Sequence, residues 1–487
     1  MNMHNFLDGV LSARIAVDEY SVPWMRINSP AGPKSLDLTD RDSPEYLYEL
    51  YLESTPGPES PKKQFLEEVN RRRLKAKFEL PATQQSLRMA GTIERIEIDL
   101  GGEEEEVLII TSEGHAMGRP RQAFVRPLSM LPLPVPLEMD QDRLRGTWLR
   151  LQSFLRLSDH QMKLLTGVML SAFLPLKEIP VCYIRGPEGA GKGVLTQAIK
   201  LFTDPNTSPY QPLYGGTLAI VEAMRQNRVV CIDNISSDTF SGRYSDLFAQ
   251  LSTGTTINQP RKHGFRGSCG VSGSRLVVLN GIDDFVTRSD LLSRAIPIRL
   301  KGLSSGVLEE VNSVLPRLEQ MQHQVFSSIV YLLRKVAARY SGTYVQTNSR
   351  MIGLVRAMAA CEEELGWSRG AFQRALAEEC DAARLDRVEE IPAIVAVRAM
   401  MEGRSSWTGT ISELLTELRR YAGSSGGSNC LDLPRSPVSL GRVLGREKVA
   451  LESVGIICDE RRQASKRLRT LLRKDRLLSF SGDRMTG

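Results

Sequence analysis

The spacing of apolar positions along this 487-residue chain changes several times, and each change marks an expected boundary. Residues 1–85 are rich in Pro, Ser and charge, and only 45–52 and 65–78 carry amphipathic helical spacing, so a loosely ordered N-terminal arm is expected. From Gly91 the period falls to two. Ile93-Glu94-Arg95-Ile96-Glu97-Ile98-Asp99-Leu100 alternates, Gly101-Gly102 turns and Val107-Leu108-Ile109-Ile110-Thr111 returns, a hairpin signature within a small β-module over 86–136. The module ends in the linker Leu131-Pro132-Leu133-Pro134-Val135-Pro136. Helical spacing follows over about 143–174, and across 137–302 short apolar runs alternate with helices, the pattern of an α/β domain. Residues 303–403 are helical nearly throughout, as Val325, Ile329, Leu332, Leu333 and Val336 show, and form an expected helical lid or bundle. The last unit, 404–487, reads helix (411–421), Ser/Gly-rich stretch, helix (438–454), β-run (456–459), basic turn and β-run (468–472), the order of a winged helix. No internal repeat is evident.

Composition is that of an ordinary soluble globular protein at 41% hydrophobic residues. The longest apolar stretches are too short and too interrupted for a membrane span and carry no basic leader, so a cytoplasmic protein without membrane contact is expected. Seven cysteines at 182, 231, 269, 361, 380, 430 and 458 are never spaced Cys-x-x-Cys, which argues against a zinc site and a disulfide framework. The net charge of +6 is uneven: from Arg404 onward 16 Lys/Arg face 9 Asp/Glu, a surplus of +7 that leaves −1 for the rest. A basic excess confined to one segment is the footprint of a phosphate-backbone binder.

Residues 186–193 read Gly186-Pro187-Glu188-Gly189-Ala190-Gly191-Lys192-Gly193, followed by Val194. Three glycines let the backbone curl until its N–H groups face phosphates, and Lys192 supplies a charge near the β and γ groups. A short apolar run, Pro180-Val181-Cys182-Tyr183-Ile184, precedes the loop, and helical spacing follows from Val194. That strand, loop and helix order predicts a nucleoside-triphosphate site for ATP. Gly193 stands where a Ser or Thr hydroxyl usually holds Mg²⁺, so the metal must be held by water or another residue. Asp233, ending the strand Arg228-Val229-Val230-Cys231-Ile232, is the expected Walker B acid and metal residue. Asn280, at the end of Leu276-Val277-Val278-Leu279, resembles the sensor that orients attacking water near a γ-phosphate. In Thr287-Arg288-Ser289-Asp290-Leu291-Leu292-Ser293-Arg294 the candidate for a transition-state arginine acting on a neighbour's nucleotide is Arg294, with Arg288 in reserve.

Taken in order, Leu131-Pro132-Leu133-Pro134, the phosphate loop, Thr203-Asp204-Pro205-Asn206, Ile232-Asp233-Asn234-Ile235-Ser236, Thr253-Gly254, Asn280-Gly281-Ile282 and Arg288-Ser289-Asp290-Leu291 resemble the AAA+ ATPases of the superfamily III and poxvirus-type NTPase kind. These occur in primase–helicase proteins of phages, plasmids and integrated elements. The likeness extends weakly through Arg350-Met351 and Trp407-Thr408-Gly409-Thr410. It implies a P-loop AAA+ core and a hexameric, DNA-translocating ATPase acting in replication, on single-stranded and duplex DNA. It further implies that Arg261, Lys262, His263 and Arg266 lie on a channel hairpin tracking a single strand. Two positions depart from the pattern, Gly193 and Asn234, the latter where many relatives place a second carboxylate. Both changes point to slow hydrolysis, with a base supplied elsewhere, for instance by Glu222 or Asp238. In the last unit Arg435, Arg442, Arg446 and Lys448 fall on or before the expected recognition helix, and Arg461, Arg462, Lys466 and Arg467 in the expected wing. No paired Asp-x-Asp for nucleotidyl transfer is seen in the N-terminal segment, so a helicase or loader working beside a separate primase is expected. The alternative is a hydrolysis-impaired, nucleotide-gated DNA-binding or assembly protein.

Overall fold

The computed structural model describes residues 3–473, apart from 12–14, 30–31, 41, 55–60, 212, 241, 255–256, 261–267, 272–274, 282–284, 287, 303–310, 425–432 and 464–465. The chain divides into two compact units, one of Met1–Val286 with Arg294–Leu376 and one of Thr287–Ser293 with Ala377–Gly487.

In the first unit the N-terminal region is folded, contrary to the expected loose arm. Strands Ile15–Asp18, Pro23–Ser29, Gly32–Asp37 and Ala82–Thr83 form one sheet beside helices Met3–Leu11, Ser43–Ser54 and Lys62–Glu79. The Pro- and Ser-rich composition hid a small aromatic core: Phe6, Tyr51 and Phe65 are buried, with Tyr51 stacked on Phe65 at 5.3 Å between centroids. A six-stranded sheet comes next and contains the expected hairpin, Ile96–Ile98 paired antiparallel with Val107–Ile110. An ionic node joins this sheet to the following domain. Arg88, fully buried, donates from Nε to Asp204 at 3.1 Å and from Nη2 to the Leu131 carbonyl at 2.8 Å. Asp204 also accepts from Lys200 at 2.8 Å and from the backbone N–H groups of Arg228 and Val229.

The nucleotide domain begins with α1 (Gln141–Phe154) and α2 (Asp159–Ser171). A reciprocal capping box between Ser158 and Gln161 starts α2, and Trp148 Nε1 donates to Thr166 Oγ1 at 2.9 Å to join the pair. Five parallel strands follow: β1 (Val181–Arg185), β2 (Tyr210–Gln211), β3 (Val229–Ile235), β4 (Leu276–Gly281) and β5 (Ala295–Arg299). Their order across the sheet is β2-β3-β4-β1-β5. Every residue of β1 and β4 is buried, which is why both read as unbroken apolar runs. Helices α3 (Lys192–Thr203), α4 (Gly216–Gln226) and α5 (Gly242–Ser252) connect β1 to β2, β2 to β3, and β3 to the segment before β4. In that segment Ile257–Pro260 pairs antiparallel with Ser268–Val271, so residues 261–267 join the two strands of a hairpin. Helices α6 (Val311–Arg339) and α7 (Ile352–Cys361) follow.

The expected boundary at 403/404 is displaced. A helix over 371–390 crosses the division at Leu376/Ala377, so the helical block 303–403 is shared between the units. In the second unit α8 (Pro392–Met401) turns Ile394, Val397, Met400 and Met401 into one core with Leu414, Leu418, Leu440, Leu444 and Leu471. The remaining elements are β6 (Ser406–Thr410), α9 (Ile411–Ser424), α10 (Pro437–Arg446), α11 (Lys448–Ser453), β7 (Ile456–Gln463) and β8 (Lys466–Arg473). β6, β8 and β7 form an antiparallel sheet in that order. Trp407 on β6 donates to Glu417 on α9 at 2.6 Å, and Arg404 reaches the same carboxylate at 2.6 Å.

Candidate functional site

The loop after β1 is shaped by its glycines. Gly186 adopts φ +154°, and a Cβ there would stand 2.5 Å from the Leu300 carbonyl oxygen. Gly191, at φ +86°, is the residue from which α3 starts. Backbone N–H groups and the positive end of α3 therefore face the space above the carboxyl ends of the strands. Lys192 Nζ donates to the Gly186 and Pro187 carbonyls at 2.8 Å each. Burial lowers its pKa, while Asp233 and Glu188 act the other way.

Above the strand ends lies a cavity of about 710 Å³ lined by Glu188, Gly189, Ala190, Gly191, Lys192, Gly193 and Val194, and by Asp233, Asn234 and Asn280. The strand order explains the convergence: β4, carrying Asn280, lies between β1 and β3, so three adjacent parallel strands deliver loop, amide and carboxylate to one edge. Asp233 does not end its strand as expected. β3 runs on to Ile235, and its register with β4 shifts between Ile232, opposite Leu279, and Ile235, opposite Gly281. Asp233 and Asn234 thus share the space opposite Asn280, and Asn234 takes φ +56°. A bulge of this kind turns side chains out of the regular alternation. Asn280, 1% exposed, donates from Nδ2 to Thr196 Oγ1 on α3 at 3.0 Å, which fixes its amide against the helix that follows the loop.

The same cavity has walls that no motif marked. Phe154 ends α1, Leu155, Arg156 and Ser158 come from the α1–α2 connection, Leu300, Lys301 and Gly302 follow β5, and Val314 and Arg317 come from α6. The Arg317 guanidinium lies over the Phe154 ring at 4.6 Å from its centroid. Arg156 is at φ +54°, so both it and Asn234 hold a conformation that non-glycine residues seldom adopt and that gathers at functional sites.

Arg294 is not in this cavity. It precedes β5, its carbonyl accepts from the Val181 N–H at 3.0 Å, and so it stands at the amino end of β1, the strand that carries the loop at its other end. Five strand residues at about 3.3 Å each put it roughly 16 Å from the loop along the sheet. Arg288 is exposed, one residue before the short helix Ser289–Leu292 of the other unit. Arg261, Lys262, His263 and Arg266 fall outside the described residues, between the two hairpin strands. In the second unit Arg435 and Arg442 are exposed; Lys448 pairs with Asp459 at 3.6 Å and Arg467 with Glu460 at 3.8 Å. The side chains of Arg446, Arg461, Arg462 and Lys466 lie outside the described residues.

Among the described residues no three His, Cys, Asp or Glu side chains come together as a metal cage. Of the carboxylates that line the cavity, Asp233 is the one that could hold Mg²⁺ beside phosphate oxygens, with waters completing the shell. A Cβ at Gly193 would meet nothing within 4 Å, so the site can accept the hydroxyl it lacks. Gly193→Thr is expected to lower the Mg²⁺ concentration for half-maximal ATP hydrolysis several-fold, as read from magnesium titrations at fixed ATP. An unchanged requirement would mean that the hydroxyl adds nothing to the metal's shell.

Residues 393–481 match the AICE RepA C-terminal domain. That span begins within α8 and covers the remaining elements of the second unit. No curated protein matches the chain. Among solved structures, an apo form of the NrS-1 C-terminal region aligns over 94% of this chain and 96% of its own, at 10% identity and a TM-score of 0.41. The SCCmec type IV Cch active helicase aligns over 95% and 93%, at 11% identity and a TM-score of 0.45. No described helix is long and apolar enough to cross a membrane.

Proposed function

We propose that this protein is an ATP-dependent DNA helicase or self-loading replication initiator of a mobile genetic element, built on an AAA+ P-loop core with a C-terminal winged helix. One observation carries the ATPase reading: Lys192, Asp233 and Asn280, from three separate stretches of sequence, line a single cavity at the strand ends. In this reading Lys192 and the loop N–H groups hold the phosphates, Asn280 orients water, and Asp233 would hold Mg²⁺. The bound ion would neutralise charge on the phosphate oxygens. Arg294 stands too far from its own loop to act there, which suits a role on a neighbour's nucleotide in a hexameric ring. The hairpin around 261–267 would then present Arg261, Lys262, His263 and Arg266 to a single strand. The RepA match supports a replication role for the second unit.

A second reading keeps the fold and removes rapid turnover, leaving a nucleotide-gated DNA-binding protein. It is favoured by the missing hydroxyl at Gly193 and by the amide of Asn234 at the bulge.

Duplex binding tests the role of the second unit. If Arg442 and Arg446 each contact a phosphate, replacing both with Ala should weaken duplex binding at low salt about tenfold or more. It should also make the slope of log affinity against log salt shallower by about 1.8. An unchanged slope would mark α10 as a protein-docking helix.

A further inference from the structure

A second cavity, of about 420 Å³, lies in the first unit where the N-terminal region meets the nucleotide domain, away from the phosphate loop. Four cationic side chains, Lys177, Arg225, Arg228 and Arg275, line it, against two carboxylates, Asp18 and Glu19. Asp18 is already engaged: its Oδ2 accepts from Trp24 Nε1 at 2.9 Å and from Arg225 Nη2 at 3.1 Å. Arg225 is further held by Asp37 at 3.5 Å and lies over the Trp24 ring at 5.3 Å. Arg228 is 4% exposed and directs Nε to the Ala172 carbonyl at 2.8 Å, while Arg275 Nε donates to the Met224 carbonyl at 3.2 Å. Burial, and after it the like charge of Arg275, draws the Arg228 guanidinium down to about 9, so at this point repulsion from the neighbouring cation outweighs the attraction of Asp204. Gln85 completes the set with a buried Nε2 that has no hydrogen-bond partner among the described residues. Tyr20 and Trp24 also line the cavity.

We propose that this cavity binds a nucleotide-sized phosphate ester, with the phosphate on the Arg228–Arg275 side and the base against Tyr20 and the Gln85 amide. Burial also lowers the Arg275 pKa, against the pull of Tyr20, Glu19 and Asp204; a bound phosphate would give the two guanidiniums a charged acceptor and would accept from the amide. The ligand is either a free nucleoside monophosphate or one link of a single strand, and the two are separable by experiment. This site is independent of the phosphate-loop reading.

The test uses full-length Lys192→Ala protein, so that the phosphate loop does not contribute, and calorimetric titration with dAMP, deoxyadenosine and a twelve-residue oligo-dT. Saturable binding of dAMP or oligo-dT, with deoxyadenosine at least tenfold weaker, is expected, and Arg275→Gln should weaken it tenfold or more in protein that still melts in one cooperative transition. Oligo-dT binding that is tighter than that of dAMP and is weakened by the cavity variant assigns the cavity to a strand; oligo-dT binding that the variant leaves unchanged, beside dAMP binding that it weakens, assigns it to a free nucleotide. Should Arg275→Gln fail to fold, Lys177→Glu, at an exposed position on the rim, must produce the same loss. Absence of saturable binding by either phosphate-bearing probe, or binding indifferent to whichever variant folds, overturns the proposal.

Discussion

Lys192→Ala should bind ATP at least about 100-fold more weakly than the native chain, a loss of roughly 2.7 kcal/mol. The lysine is the first residue of α3 and brings the cavity its charge closest to the loop, and its ammonium is held on the Gly186 and Pro187 carbonyls at 2.8 Å. Phosphate oxygens would replace those neutral acceptors with charged ones, adding the attraction between opposite full charges to hydrogen bonds that the ammonium already donates. Alanine leaves the loop N–H groups in place but no cation to match the β and γ phosphates. Equilibrium titration with a fluorescent ATP analogue measures the effect, and retained affinity would remove the phosphate loop from the account.

Arg88→Ala should destabilise the first unit by about 3 kcal/mol, because it takes one of two cations from a buried carboxylate, leaving only Lys200, and removes the donors to the Asp99 and Leu131 carbonyls. Asp204 is fully enclosed, and although burial alone would raise its pKa, Lys200 and Arg88 hold it down to about 2. A folded-state pKa below the unfolded one means the group contributes stability above the unfolded carboxylate range, near 4, and loses it as pH falls toward 2. The native chain should therefore lose part of its stability between about pH 4 and 2. Removing Arg88 should raise the Asp204 pKa and move that loss to higher pH. Urea unfolding at pH 7 and pH 4 reads both effects; a variant as stable as native at both would show that the node does not join the β-module to the nucleotide domain.

The parts of this architecture that sequence discloses are those held by local pattern. β1 and β4 are buried on both faces and read as unbroken apolar runs, and the loop between β1 and α3 is spelled out by its glycines and lysine. The N-terminal core was not legible, because it gathers Phe6, Tyr51 and Phe65 from three separate helices through stretches dominated by Pro, Ser and charge. β6 was missed because Ser-Trp-Thr-Gly-Thr has little apolar alternation and pairs only with the distant β8. The domain boundary was misplaced because helical spacing continues through Leu376 without a break, while the division depends on which core each turn enters. Asp233 and Asn280 could be chosen from their strands, but the bulge that sets Asp233 and Asn234 together opposite Asn280 is a matter of register between strands. Phe154, Arg156 and Arg317 reach the cavity only through the packing of α1, α2 and α6, for which no short motif exists.

A replication helicase must couple ATP turnover to DNA. That coupling is tested most directly by steady-state ATP hydrolysis of the full-length protein with and without saturating single-stranded DNA, beside Asp233→Ala as the hydrolysis-dead control. The expected result is a slow basal rate that rises several-fold with DNA, falls back to basal when Lys262 and His263 are both replaced by Ala, and vanishes in Asp233→Ala. Hydrolysis indifferent to DNA, or none above the Asp233→Ala control, would contradict it.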